Sequence, residues 1–123
     1  MYDRQLPDIA LAGLRNASIV ADEDRKARSR EVAMRFGENL HRVRNRLGMS
    51  QEELAVRASL HRTEIGMLEH GQRVARIDTL IQLAGAMSIP ADELIAGISW
   101  DPGGVLGGTF GFEDRSHRRS KND

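Results

Sequence analysis

The stretch of the chain that decides its fold runs from residue 50 to residue 71 and reads SQEELAVRASLHRTEIGMLEHG. It opens with Ser50 and Glu53 at the spacing of a capping box, in which two side chains satisfy backbone N–H groups at a helix start. Apolar residues at helical spacing follow, are interrupted at residues 59–61, and then resume as far as Gly71, a residue type favoured at helix ends. The stretch predicts a helix, a tight turn and a second helix.

The same periodicity continues on both sides of this stretch. Apolar residues recur at spacings of three or four, and a proline followed by acids near residue 90 suits the first turn of a helix. Three more helices are predicted from these positions: Phe36, Leu40, Val43 and Leu47 before Gly48; Ile77, Leu80, Ile81, Ala84 and Met87; and Pro90, Asp92, Glu93, Leu94 and Ile95. We therefore expect an all-α fold with a five-helix domain over residues 35–98.

The two flanks of this domain differ in composition. Residues 1–34 form an N-terminal extension, helical or partly disordered, with one candidate amphipathic helix that starts near Pro7. Its charge-dense part, residues 22–31, either extends the first core helix or remains disordered. Residues 99–123 form a glycine-rich C-terminal extension, for which a short β-hairpin or a flexible connection is expected, with a charged tail.

Charge is distributed unevenly along the chain, although 18 basic and 18 acidic side chains give no net charge overall. Residues 35–76 carry eight basic and five acidic side chains, for a net charge of +3, whereas residues 77–100 carry three acids and no Lys or Arg. The neutral total therefore does not argue against a nucleic-acid partner for the central segment.

Several classes of protein are disfavoured by what the sequence contains. A chain of 123 residues has room for one domain and not for a large multidomain enzyme. It has no cysteine, no apolar run of membrane-spanning length, and an N-terminus unlike a signal peptide, so we expect a cytoplasmic protein without membrane contact. The histidines at 41, 61, 70 and 117 lack metal-site spacing, and no catalytic triad is recognisable, so neither a metal, nor a cofactor, nor an enzymatic activity is expected.

A set of spaced residues resembles a known family. The motif reads Arg44-x-x-x-Gly48-x-Ser50-Gln51-x-x-Leu54-Ala55, then Ile65-x-x-Leu68-Glu69-x-Gly71, then Leu80-x-x-Leu83-Ala84. Residues 36–97 resemble the helix-turn-helix domain of the lambda repressor and Cro (XRE) family. Residues 60–66 are also similar to the controller proteins of restriction-modification systems, a branch of that family.

The resemblance implies that residues 62–70 form the recognition helix, which enters the major groove of DNA. Ile65 and Leu68 should face the core, against Leu54 and Phe36. The candidates for base readout are then Arg62, Thr63, Glu64 and Met67. An arginine can bond O6 and N7 of guanine, a threonine can contact a thymine methyl or a phosphate, and Glu64 either accepts from cytosine or caps its helix.

Phosphate contacts are expected from polar side chains near helix N-termini and from the loop after the recognition helix. The candidates are Gln51, His61, His70, Gln72, Arg73 and Arg76, with Arg57 as a further possibility. The role of Gln51 is the one that the family assigns to the equivalent glutamine.

The resemblance also implies a structural ion pair between Arg44 and Glu69, which ties the first helix to the end of the recognition helix. The chain departs from the family at Ser59, where glycine is usual, so a left-handed backbone there would be strained. It departs again at His61, often a serine, and at Val74 and Ala75, often Asn-Pro. These departures concern the loops and not the core.

The function that follows is a sequence-specific DNA-binding transcriptional regulator, a repressor that binds a palindromic operator as a homodimer. Its dimer interface is expected after residue 77, at Ile89, Leu94, Ile95, Ile98 and Trp100, extended by residues 110–112. The alternative is the antitoxin of a toxin-antitoxin pair, in which the N- or C-terminal extension binds a protein partner and the complex represses its own operon.

Overall fold

The computed structural model of the protein describes residues 18–105 and 107–113. Within these residues, four α-helices come first, followed by one 3-10 turn and two strands. The elements are α1 (Ser18–Arg46), α2 (Gln51–Ala58), α3 (Arg62–Glu69), α4 (Ile77–Met87), the 3-10 turn (Ala91–Glu93), β1 (Ile98–Gly104) and β2 (Gly107–Phe112). In the part of the chain that the structure describes, no helix has the length and apolarity needed to cross a membrane.

The prediction of a fifth helix after Pro90 is wrong, because this segment forms only the three-residue 3-10 turn. Gly97 adopts a left-handed backbone with φ 82°, and β1 begins at Ile98. The segment between Pro90 and Gly97 is therefore too short for a helix to repeat its hydrogen bonds over several turns.

α1 extends well upstream of the predicted core stripe. Of the two alternatives for residues 22–31, the helical one is correct, since α1 begins at Ser18 and continues without interruption to Arg46. The candidate amphipathic helix near Pro7 lies outside the described residues.

The core lies where α1, α2, α3 and α4 converge. Its buried residues are Phe36, Leu40, Val43, Leu54, Ala55, Ala58, Ile65, Leu68, Leu83, Ala84, Met87 and Leu94. Three apolar residues assigned to helical stripes face outward instead, since Leu47, Ile77 and Ile81 are exposed. Ile77 and Ile81 lie on the outer face of α4, where the helical period carries them away from the core, and Leu47 follows the last residue of α1.

A buried asparagine joins α1 to the segment that follows the 3-10 turn. Asn39 is fully buried, and its side-chain Nδ2 donates to the carbonyls of Leu94, at 2.9 Å, and Ala96, at 3.1 Å. These two hydrogen bonds satisfy the buried amide and hold the chain in place just before β1.

Of the two alternatives for the glycine-rich segment after residue 98, a β-hairpin or a flexible connection, the structure shows the hairpin. β1 and β2 pair antiparallel, and Trp100 lies opposite Phe110 with ring centroids 4.9 Å apart. Cations of α1 cover the hairpin: the guanidinium of Arg28 lies 5.9 Å from the Trp100 ring centroid and that of Arg35 lies 5.5 Å from the Phe112 ring centroid. The hairpin is thus attached to α1 through Arg28 and Arg35.

Candidate nucleic-acid interface

The α2 and α3 pair is organised by local features that the sequence encodes. Ser50 caps α2, since its hydroxyl accepts from the backbone N–H of Glu53 at 3.0 Å. Ser59 ends α2 in the left-handed conformation, with φ 59° and ψ 42°. This is the conformation expected at a position where the family usually has glycine. The turn brings α3 across α2, and Ile65 and Leu68 are fully buried, so the inward face of α3 is as predicted.

The candidates for base readout lie on the outward face of α3. Arg62 and Thr63 are exposed at its N-terminal end, while Glu64 and Met67 are partly buried. Arg62 is held by a residue that sequence reasoning missed: its Nε lies 2.9 Å from Oε1 of Glu52 on α2, and both side chains are about two-thirds exposed. Such exposed ion pairs contribute about 1 kcal/mol or less, so Arg62 can exchange this partner for another acceptor.

Glu64 contacts the loop that follows α3. Its Oε2 lies 3.8 Å from Nη1 of Arg73, and Nη2 of Arg73 lies 3.8 Å from the sulfur of Met67. Among the described residues no side chain caps α3, whose N-cap residue is His61 in extended conformation. The capping role considered for Glu64 is therefore not observed.

A polar cluster around the Glu69 carboxylate connects α1, α2 and α3. Arg44 makes two hydrogen bonds to this carboxylate through Nε and Nη2, the second at 3.0 Å, and also donates to the carbonyl of Met49 at 2.7 Å. His41 Nδ1 lies 3.1 Å from Oε1 of Glu69, and the Gln51 amide donates to the same oxygen at 3.0 Å. The first helix is thereby joined to the ends of both helices of the pair.

The electrostatics of this cluster keep Glu69 ionised. Burial of its side chain, which is only 3% exposed, raises the pKa of the carboxyl group. Hydrogen bonds from Arg44, His41 and Gln51, together with the positive charge of Arg44, outweigh burial and leave the pKa of Glu69 below its ordinary value. The hydrogen bond to Glu69 also raises the pKa of Arg44, against a smaller opposing effect of burial.

Two glycines allow α3 and its following loop to approach α1 closely, and sequence reasoning did not identify the first. A Cβ atom on Gly37 would overlap the carbonyl oxygen of Leu68 and would lie 2.6 Å from that of Glu69. A Cβ atom on Gly71, where φ is +69°, would lie 2.9 Å from Cα of Met34. Both distances are too short for a side chain, so glycine is required where the backbone of α3 and its loop passes α1.

The candidates for phosphate contact surround this helix pair. Gln51 lies at the start of α2, with one amide N–H group bonded to Glu69 as described above. The other candidates are exposed: His61, His70, Gln72, Arg73 and Arg76. Three of them have local partners: Nδ1 of His70 lies 2.7 Å from the carbonyl of Gly66, Nε of Arg76 lies 3.2 Å from Oδ1 of Asp78, and Arg73 contacts Glu64 and Met67 as described above. Arg57, the further possibility, faces Glu53 on α2, with Nη2 3.3 Å from Oε2.

The residues predicted for a dimer interface differ in their exposure, and one of them is buried in the core. Leu94 is fully buried within the chain, so its assignment to an interface is wrong: the closing of the 3-10 turn places it in the core. Ile95 and Trp100 are 43% and 50% exposed, while Ile89 and Ile98 are partly buried. Ile95 and Trp100 therefore remain as the accessible apolar members of the predicted set.

Comparison of the sequence with known proteins identifies the family to which the chain belongs. A helix-turn-helix family profile matches residues 40–94, which contain α2, the turn and α3. Control protein C.SmaI of Serratia marcescens is 41% identical over 60 residues, which are 49% of this chain and 71% of that protein. The chain belongs to the XRE-type helix-turn-helix family. The resemblance predicted from the spaced residues is confirmed.

Other relatives of this XRE-type protein include regulators and controllers. Control protein C.BamHI of Bacillus amyloliquefaciens is 31% identical over 65 residues, covering 52% of this chain and 80% of that protein. The crystal structure of the restriction-modification controller protein C.AhdI from Aeromonas hydrophila matches with a TM-score of 0.50 and 37% identity, covering 50% of this chain and 94% of that one. Membership of this family makes the XRE-type protein a DNA-binding transcriptional regulator.

Proposed function

We propose that this XRE-type regulator represses transcription by binding a palindromic operator as a homodimer, with half-sites about one helical turn apart. The observation that carries the proposal is the outward face of α3, where Arg62 and Thr63 are exposed on a helix anchored by two fully buried side chains. A rigid helix with exposed hydrogen-bonding groups at its N-terminal end suits base readout in the major groove, which admits one α-helix.

In this proposal Arg62 reads the sequence most directly. Its guanidinium would leave Glu52 and donate to O6 and N7 of a guanine, the commonest specific contact of this kind. Thr63 contacts a thymine methyl or a phosphate, Glu64 accepts from a cytosine, and Met67 supplies an apolar contact. The weak, exposed pairing with Glu52 orients Arg62 before DNA arrives without preventing the exchange.

Backbone contacts fix the docking of α3. Gln51 carries two N–H groups on its amide, and one is used by Glu69, so the other is available to a phosphate at the start of α2. His61, His70, Gln72, Arg73 and Arg76 lie around the helix pair and extend the same footprint.

Homodimerisation and repression are part of the same proposal. Exposed apolar side chains at Ile95 and Trp100 offer surface for a second copy, and a palindromic operator matches the two-fold symmetry of a dimer. The names of the relatives, control proteins and a transcriptional regulator, favour gene control over the toxin-antitoxin alternative. A DNA target of this kind places the protein in the cytoplasm.

The test begins with selection of bound DNA from a random pool at a stated salt concentration, which we expect to return a palindromic sequence. Arg62→Ala should then cost about 1–3 kcal/mol on that sequence and relax the preference at one base pair. Arg73→Ala should weaken binding to all sequences alike and reduce the salt slope by about one. If Arg62→Ala reduced affinity equally on every sequence, Arg62 would be a phosphate contact and the proposed readout would be wrong.

A further inference from the structure

A basic groove lies beside the loop that follows the recognition helix, and the proposed function does not use most of it. One wall is formed by Arg25, Lys26, Ser29, Arg30 and Ala33 of α1 and the other by residues 71–74, and the space between them is about 300 Å³. We call this space the α1–loop groove. It exists because α1 continues upstream of the core and because Gly71 lets the loop pass close to Met34.

The charge of the α1–loop groove has one sign. Among the described residues that line it, four are cationic, namely Arg25, Lys26, Arg30 and Arg73, and none is acidic. Several positive charges around a concave surface attract an anion, and arginine in particular matches the geometry of phosphate oxygens. The whole chain has no net charge, so this local excess is not a consequence of composition.

The groove is continuous with the candidate interface. Gln72 and Arg73 line it, and both are exposed in the loop directly after α3, where the docked chain passes the DNA backbone. Arg73 also lies beside Glu64 and Met67 of α3, so a single side chain connects the groove to the base-reading face. An anion that reaches Arg73 from the side of the DNA is within the same concave surface as the cations of α1.

We propose that the α1–loop groove binds a backbone phosphate of the operator DNA, held between Lys26 and Arg30 of α1 and Arg73 of the loop. This inference rests on the proposed function and adds to it a contact made by the upstream half of α1. The contact depends on charge and not on base identity, so it increases affinity for every sequence and lengthens the footprint beyond the base pairs that α3 reads.

The experiment pairs changes in the full-length protein with changes in the DNA. Phosphates of the selected operator are replaced one at a time by neutral methylphosphonates, and the dissociation constant is measured by fluorescence anisotropy for the wild type, Lys26→Gln and Arg30→Gln. We expect at least one neutralised phosphate to weaken the wild type severalfold and to have no further effect on the two variants. The salt slope of each variant should be lower by about one than that of the wild type.

Two further variants serve as controls. Arg42→Gln removes the same charge from an exposed position of α1 that does not line the groove, and we expect it to keep the wild-type response to each neutralised phosphate. Arg30→Lys retains the charge and should retain most of the salt slope. Thermal unfolding followed by circular dichroism checks that each variant is folded.

The outcomes separate the two proposals. If the wild type selects no sequence from a random pool, the proposed function is wrong. If the wild type selects an operator but Lys26→Gln and Arg30→Gln respond to every neutralised phosphate as Arg42→Gln does, the function stands and the groove proposal is overturned.

Discussion

Ser59 shows how a single residue can preserve a turn at an energetic cost. Its left-handed backbone closes α2, with the N–H group of Leu60 bonded to the carbonyl of Ala55 at 2.9 Å. A residue with a Cβ atom is destabilised by roughly 1–2 kcal/mol in this conformation. Ser88 ends α4 in the same way, with φ 55°. The helix ends are therefore determined by the hydrogen bonds they make and by the packing around them, even where the residue type is unfavourable.

We expect Ser59→Gly to raise the free energy of unfolding by about 0.5–1 kcal/mol. The substitution relieves the left-handed strain, and the greater freedom of glycine in the unfolded chain offsets part of that gain. Urea denaturation of the two proteins measures the difference. As a comparison, Ser50→Gly removes a side-chain cap and should not stabilise the protein, so a gain from Ser50→Gly would contradict the explanation.

Glu69 makes stability depend on pH in a defined direction. Its pKa is lower in the folded protein than its ordinary value of 4.5, so its ionised form stabilises the fold at neutral pH. That contribution is complete above the unfolded pKa and is lost as the pH falls through the lower pKa of the folded state. The wild type should therefore lose stability in this acidic range.

Glu69→Gln tests this dependence. The variant should be less stable than the wild type at pH 7, and the gap between them should narrow as the pH falls below about 4.5, the ordinary carboxyl value. Urea midpoints between neutral and acidic pH provide the measurement. Glu38→Gln, at a carboxylate that is 73% exposed, is the matched control and should keep a nearly constant difference from the wild type.

At the scale of elements, α1 contacts α3, the segment that follows the 3-10 turn, and the hairpin. It supplies Phe36, Leu40 and Val43 to the core and contacts the hairpin through Arg28 and Arg35. The end of α3 reaches α1 at Gly37, where the two backbones are nearly in contact. Because Gly37 has no side chain, the end of the recognition helix can pack directly against the backbone of α1.

Gly37→Ala should destabilise the protein by about 1–3 kcal/mol, because its Cβ would overlap carbonyl oxygens of α3 and force the helices apart. Gly85→Ala is the matched control: Gly85 is also helical, and a Cβ there has no neighbour within 4 Å. The control should be stabilising by up to about 1 kcal/mol, since alanine favours helices over glycine. Thermal or urea unfolding would show both effects, and equal changes in the two variants would contradict the packing argument.

At the scale of the whole molecule, the surface proposed for DNA and the surface proposed for the dimer lie in two segments of opposite net charge. Residues 35–76 carry a net charge of +3 and contain α2 and α3, whereas residues 77–100 carry a net charge of −3 and contain the exposed apolar residues Ile77, Ile81 and Ile95. A negative segment is repelled by DNA and an apolar surface favours a protein partner, so residues 77–100 remain the better place for a dimer contact.

We expect the protein to be a dimer in solution and Ile95→Glu to shift it toward the monomer, because a charge placed in an apolar contact loses its hydration. Sedimentation equilibrium measures the association. Ile81→Glu is the comparison, since Ile81 is also an exposed apolar residue of residues 77–100 but is not among the individual residues assigned to the interface. Dissociation by Ile81→Glu, with no effect of Ile95→Glu, would move the interface to the outer face of α4.

The features that could be predicted from the sequence are local. The helix starts and ends at Ser50, Ser59 and Gly71, the inward face of α3, and the XRE-type family follow from caps and spacings within a few residues. Such signals depend on the period of one helix and on its own backbone hydrogen bonds, which a short window of sequence contains. The fifth helix was predicted from an N-terminal signal at Pro90 and from two apolar residues, Leu94 and Ile95, and these do not determine how many turns follow.

The features that could not be predicted depend on residues far apart in the chain. The pairing of Arg62 with Glu52, the shared hydrogen bonds of His41 and Gln51 at Glu69, the close approach at Gly37 and the α1–loop groove all join different elements. None follows from periodicity, because the distance between two helices is set by how all their side chains pack together. The family places the recognition helix, and the packing determines which cations surround it.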